Sequence, residues 1–123
     1  MKYILLLFLN LIFFSCSQNS IENYLTGKDI KFWDVQDSLH STKYCYSFSK
    51  DGTCRYYYYT DSCTRNLMFD DDVIYENTWE LKNDSNLVFR SSNRKIYLVN
   101  SDTLLLVNDH NHLLLLKAPC QKP

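Results

Sequence analysis

From residue 24 onward the chain is a succession of short runs in which apolar and polar residues alternate, separated by clusters of Asn, Asp, Ser and Gly. Successive side chains on a strand point to opposite faces, so a period of two calls for strands, not amphipathic helices. The runs are Ile30 to Val35, Thr42 to Phe48, Thr53 to Tyr59, Val73 to Leu81, Asn86 to Arg90, Arg94 to Val99, Thr103 to Val107 and His112 to Lys117. Ser49-Lys50-Asp51-Gly52, Lys82 to Ser85, Ser91-Ser92-Asn93, Asn100-Ser101-Asp102 and Asp109-His110-Asn111 are turn signals. Ile21 to Leu25 reads as a short helical turn. Thr60 to Asp72 is the longest irregular stretch, and its Leu67-Met68-Phe69 either docks on the core or forms a short strand.

No connection is long enough for a parallel crossover. The pattern therefore predicts an all-β fold, an antiparallel up-and-down meander of about eight strands. Such a sheet can close into a small barrel, which removes its exposed edges. Aromatic residues make up 15% of the chain, while Gly and Pro number two each, which suits strands and not linkers. Leu104 to Val107 and Leu113 to Leu116 are apolar on both faces, so that part of the sheet is covered on both sides or meets a partner. Lys and Arg total 13 against 14 Asp and Glu. That balance gives no basic field for nucleic acid, and no nucleic-acid partner is expected.

The first residues carry a separate message. Lys2 precedes an apolar run from Tyr3 to Phe14 interrupted only by Asn10. As a helix this run would be about 18 Å long, too short for a hydrocarbon core of about 30 Å. It reads as the apolar core of an export signal. Phe13-Phe14-Ser15-Cys16 resembles a bacterial lipobox. The resemblance implies a lipoprotein signal peptide over 1–15, lipidation of Cys16, a tether over 16–23 and a folded domain over 24–120. Phe14 is bulkier than the lipobox pattern. The protein is then expected in the cell envelope, anchored to the membrane by acyl chains and facing the periplasm.

With Cys16 assigned, four cysteines remain: Cys45, Cys54 and Cys63, spaced by nine, and Cys120 near the C-terminus. Outside the cytoplasm four cysteines suggest two disulfides in one of three connectivities, Cys120 tying the tail to one of the others.

Several pieces resemble the lipocalin-like domains of bacterial envelope lipoproteins, especially of the Bacteroidetes type. They are Leu25-Thr26-Gly27-Lys28, the hairpin Phe48-Ser49-Lys50-Asp51-Gly52-Thr53, Trp79-Glu80-Leu81 followed by Leu87, and a final hairpin of Ser101 to Leu106 and Leu113 to Leu115. The likeness spans roughly 24 to 118. It implies a lipocalin-like small barrel with a binding role. The usual Gly-x-Trp opening is absent, and the nearest Trp is Trp33, so the ring that plugs the barrel bottom is missing or displaced.

Tyr56-Tyr57-Tyr58-Tyr59 divides between two faces of its strand. With Tyr44, Tyr46, Phe48 and Trp79, the pair Tyr56 and Tyr58 makes the candidate surface for a ligand or partner. Other constellations carry no chemistry. Asp70-Asp71-Asp72 lacks the spacing of a calcium loop. His110 and His112 have no convergent carboxylate or thiol, so no metal is expected. Asn83-Asp84-Ser85 matches a glycosylation sequon but reads as a turn. Neither His40 nor the pair Glu76 and Glu80 belongs to a catalytic signature, and no enzyme activity or cofactor is expected. The expected function is non-catalytic binding, of a small apolar ligand or, alternatively, of a protein such as an envelope factor or a toxin that it neutralises.

Overall fold

The computed structural model describes residues 21–36, 43–68 and 77–122. The lipobox and Cys16, His40, Asp70 to Asp72 and Glu76 lie outside them. A helix over 21–26 opens the described chain, so helical structure begins within the segment read as tether. Gly27, at φ +61, ends the helix, and its N–H reaches Asn23 O at 2.9 Å.

Nine strands follow: β1 (Ile30–Val35), β2 (Tyr44–Ser49), β3 (Cys54–Tyr59), β4 (Arg65–Leu67), β5 (Trp79–Lys82), β6 (Asn86–Phe89), β7 (Ser92–Val99), β8 (Thr103–Val107) and β9 (His112–Lys117). They form one antiparallel sheet in the order β4-β3-β2-β1-β9-β8-β7-β6-β5. The expected meander is present, with one strand more than the alternation suggests. That strand, β4, lies in the stretch read as irregular, and its three residues are too few to display a period. The first and last strands pair at the sheet's centre, Trp33 opposite Lys117. The sheet curls into a half-barrel, and the chain entering β3 meets the chain entering β5 at one place. There Thr53 bridges Thr78, Cys54 N donates to Asn77 O, and Trp79 N donates to Gly52 O.

The hairpin turn between β6 and β7 differs from expectation. Phe89 pairs with Ser92, so the turn is Arg90-Ser91, with both residues at positive φ, and Ser92-Asn93 belong to β7.

The inner face carries the main core: Leu25, Trp33, Phe48, Cys54, Leu87, Phe89, Leu104, Leu106 and Leu115. Every one is at most 3% exposed, so the half-barrel is filled with side chains. Trp33 lies in this core on β1. It is fully buried, and its indole N–H donates to Leu25 O at 2.9 Å, joining β1 to the helix. Lys31 Nζ lies 4.2 Å from the Trp33 ring centre and donates to Tyr24 O and Ser101 O.

A second cluster covers the outer face of β1 to β3 with Phe32, Cys45 and Ala118. Residues 118–122 run across this face as a strap. The Gln121 side chain accepts from Phe32 N and donates to Phe32 O, doing for β1 what a further strand would do. The Arg65 guanidinium stacks 3.8 Å above Phe32 and donates to the carbonyls of Cys120 and Lys122.

One disulfide, Cys63–Cys120, clasps the strap. The expected second bridge is absent: Cys45 and Cys54 are free and buried. The register explains why. Phe48 pairs with Cys54 on the inner face, while Cys45 pairs with Tyr57 on the outer face. The sheet itself separates the two thiols.

On the outer face of β7 to β9, Leu98, Leu105 and Leu114 form a row by register. Leu98 is 46% and Leu114 37% exposed, so within the described chain this face is not covered.

Candidate functional site

The alternation of β2 and β3 carries Tyr44, Tyr46, Phe48, Tyr56 and Tyr58 to one face, which the structure places inside, a choice the sequence left open because both faces of these strands are aromatic. The structure then divides them by depth. Phe48 is wholly buried, with Trp79 and Phe89 edge-on to it at 6.2 and 5.5 Å. Trp79 donates its indole N–H to Ser49 O at 2.7 Å. These two candidates are therefore structural. Above them the rings form a ladder: Tyr46 stacks on Tyr56 at 4.6 Å, and Tyr44 stacks on Tyr56 at 5.4 Å. Tyr58, half-buried, faces Tyr44 across the strands.

The ladder faces the β6–β7 hairpin. Between them lies a cavity of about 270 Å³ lined by Tyr46, Tyr56, Met68, Phe89, Arg90, Ser92 and Arg94. This is the open end of the half-barrel. Arg94 Nη1 donates to Asn111 in the β8–β9 turn, whereas helix 21–26 is fixed through Lys31 to Ser101 in the opposite, β7–β8 turn. The Arg90 guanidinium sits 5.2 Å from the Tyr56 ring centre, within cation–π range. Arg94 Nε is buried and has no hydrogen-bond partner.

Both arginines escape a reading of the sequence. With the turn set at 91–93, Arg90 ends one strand and Arg94 begins the next, and nothing joins them to the tyrosines. The usable signal was the missing glycine: Arg90-Ser91 is an unusual choice for two positive-φ positions.

A larger groove, about 980 Å³ and wide open to solvent, runs outside the sheet between the strap and residues 60–63. Several of its polar groups are engaged within the fold. Tyr59 donates to the Asp34 carboxylate, and burial with this bond raises the phenol's pKa. Asp61 accepts from the backbone of Cys63 and Thr64, which lowers its pKa and shapes the turn presenting Cys63. Burial likewise raises the Cys45 thiol and pushes Cys54 up to about 12, so neither is a ready nucleophile. The mouth, where charge and aromatic faces converge beside a solid core, is the better candidate site.

His110 is exposed in the β8–β9 turn, and His112 is exposed at the start of β9. Among the described residues no three His, Cys, Asp or Glu side chains converge as metal ligands. No described helix is long and apolar enough to cross a membrane. No family model matches the chain, and no curated protein or solved structure matches it.

Proposed function

We propose that this is a non-catalytic, lipid-anchored protein of the cell envelope that recognises a protein partner at the open end of its half-barrel. The filled interior carries this reading. A site for a lipid or drug-sized apolar ligand encloses roughly 300–1,000 Å³. Here the interior is occupied by Trp33, Phe48, Leu104, Leu106 and Leu115, all fully buried. The space left at the mouth, about 270 Å³, suits one inserted group. Tyr44, Tyr46, Tyr56 and Tyr58 supply what interface hot spots are built from, broad rings with polar ends. The anchor is the role given to Cys16 by its lipobox-like setting, and it keeps the domain on the periplasmic side of a membrane.

Site-directed photo-crosslinking in the native envelope tests the reading. A crosslinking side chain in place of Tyr44 is expected to trap a discrete protein; one in place of Tyr97, an exposed ring on β7, is not. A lipid-sized mass carried by the intact protein in native mass spectrometry, and lost on denaturation, would overturn it in favour of an apolar ligand.

A further inference from the structure

We infer that the outer face of β7 to β9 rests on the lipid bilayer that holds the anchor, with Tyr97, Leu98, Leu105 and Leu114 against the lipid. The inference rests on the lipid at Cys16 proposed above and adds the orientation that the domain takes on its membrane.

The two halves of the outer face are treated differently. Over β1 to β3, Phe32 is covered by Ala118 of the strap and by the Arg65 guanidinium. Over β7 to β9 the register lines up Leu98, Leu105 and Leu114 across three neighbouring strands. Leu98 and Leu114 are exposed at 46% and 37%. The ladder shifts register between Ile96 and Leu98, which takes Tyr97 out of the alternation. Bulges re-aim side chains, and this one leaves the Tyr97 ring 73% exposed beside the row. Apolar patches of this kind mark contact with a protein or a membrane.

The chemistry of the patch favours lipid. Leucines offer apolar area to the acyl boundary, and a tyrosine, with an apolar ring and a polar tip, suits the level of the headgroups. The strands β7, β8 and β9 contain no Asp or Glu. Lys95 lies on the same outer face, opposite Val107, and brings a cation to phospholipid phosphates. The acids nearest in sequence, Asp102 and Asp109, are in the turns at the two ends of these strands, and on β5 Glu80 is paired with Lys82 at 3.7 Å. A strip this narrow falls far short of the roughly 20–30 residues a side of a stable protein interface, which disfavours a second copy.

The anchor is within reach. Ile21, where the described chain begins, packs against the main core, and Cys16 stands five residues before it. Five residues span at most about 17 Å. The helix that follows is joined to the β7–β8 turn through Lys31, whose ammonium donates to Tyr24 O at 2.9 Å and to Ser101 O at 2.7 Å. Leu98 precedes Ser101 by three residues, at most about 10 Å along the strand. The tether therefore leaves the domain beside the exposed row, while the mouth lies at the other end of the sheet, clear of the lipid.

The test uses the mature, acylated protein reconstituted into vesicles of phosphatidylethanolamine and phosphatidylglycerol, with plain or brominated acyl chains. Bromine quenches tryptophan on contact, and the fluorescence of an added tryptophan is read by difference from the parent. Tyr97→Trp is expected to lose at least about half of its added fluorescence in brominated vesicles, and Arg55→Trp, exposed on β3 across the sheet, to lose none. Leu98→Asp with Leu114→Asp should abolish the quenching of Tyr97→Trp while acylation and vesicle partition persist; circular dichroism checks folding. An acylated protein whose Tyr97→Trp stays bright, or is quenched no more than Arg55→Trp, would overturn the docking and leave the anchor. Quenching indifferent to the two aspartates would overturn it too. A blue shift that grows with protein concentration, without quenching, would give the face to a second copy. An intact mass without acyl groups would overturn the anchor and the inference with it.

Discussion

Cys45 and Cys54 sit in one hairpin and face opposite ways, and their thiols make stability depend on pH. Burial raises both above the ordinary thiol value, Cys54 to about 12. An unfolded thiol titrates near 8.5. Above that pH the unfolded chain gives up a proton that the folded chain keeps. The contribution is thus complete below about pH 8.5 and is lost as pH rises toward the folded value, by about 1.4 kcal/mol per pH unit for each thiol. Lys31, whose pKa burial lowers, acts in the opposite sense. Between about pH 8 and pH 10, Cys54→Ala should lose less stability than the parent by one thiol's slope, as followed by urea unfolding. Lys31 is common to both proteins and cancels. Equal losses would show that Cys54 does not keep its proton. At this scale the sequence was readable only by type. Even spacing made Cys45, Cys54 and Cys63 look alike, and only the register assigns 45 and 54 to opposite faces.

Among the elements, the strap over 118–122 has the least secondary structure and the most specific attachments. It is held by Cys63–Cys120, by the Gln121 amide on β1 and by Arg65 on two of its carbonyls. The sequence separation of 57 makes the disulfide worth about 4 kcal/mol by loop-closure entropy. Cys63→Ser combined with Cys120→Ser should therefore unfold at a distinctly lower temperature. In that variant an alkylating reagent should reach Cys45, beneath the strap, well before Cys54 in the main core. Mass spectrometry of the labelled peptides reads the order, and Cys54 reacting first would contradict the cover described here. The strap was half legible. Cys120 near the C-terminus announced a tail tied back, whereas Gln121 and Arg65 gave no sign because their partners are backbone atoms brought close only by folding. The strands were legible wherever a period could repeat, as in β2 and β3. They were not in β4, which is too short, nor at Arg90-Ser91, where the turn defies the usual residue preference.

For the whole molecule, alternation and short connections conveyed the meander, while the closure of the sheet rests on long-range contacts that no local pattern encodes. The anchor is tested at the same scale: Cys16→Ser should move the protein from the membrane to the soluble fraction on immunoblots, and unchanged partition would remove the lipid from the account. The strand order has a further consequence. Residues 30–67 and 79–117 form two local meanders that meet along β1 and β9 at the centre of the sheet. A chain made or threaded from its N-terminus delivers the central strand last. Until 112–117 emerges, β1 and β8 each present a row of unpaired amides and carbonyls, the kind of edge that captures foreign strands. During biogenesis the hazard therefore lies in the middle of the finished sheet, and an escort that delays misassembly would have to shield those two edges.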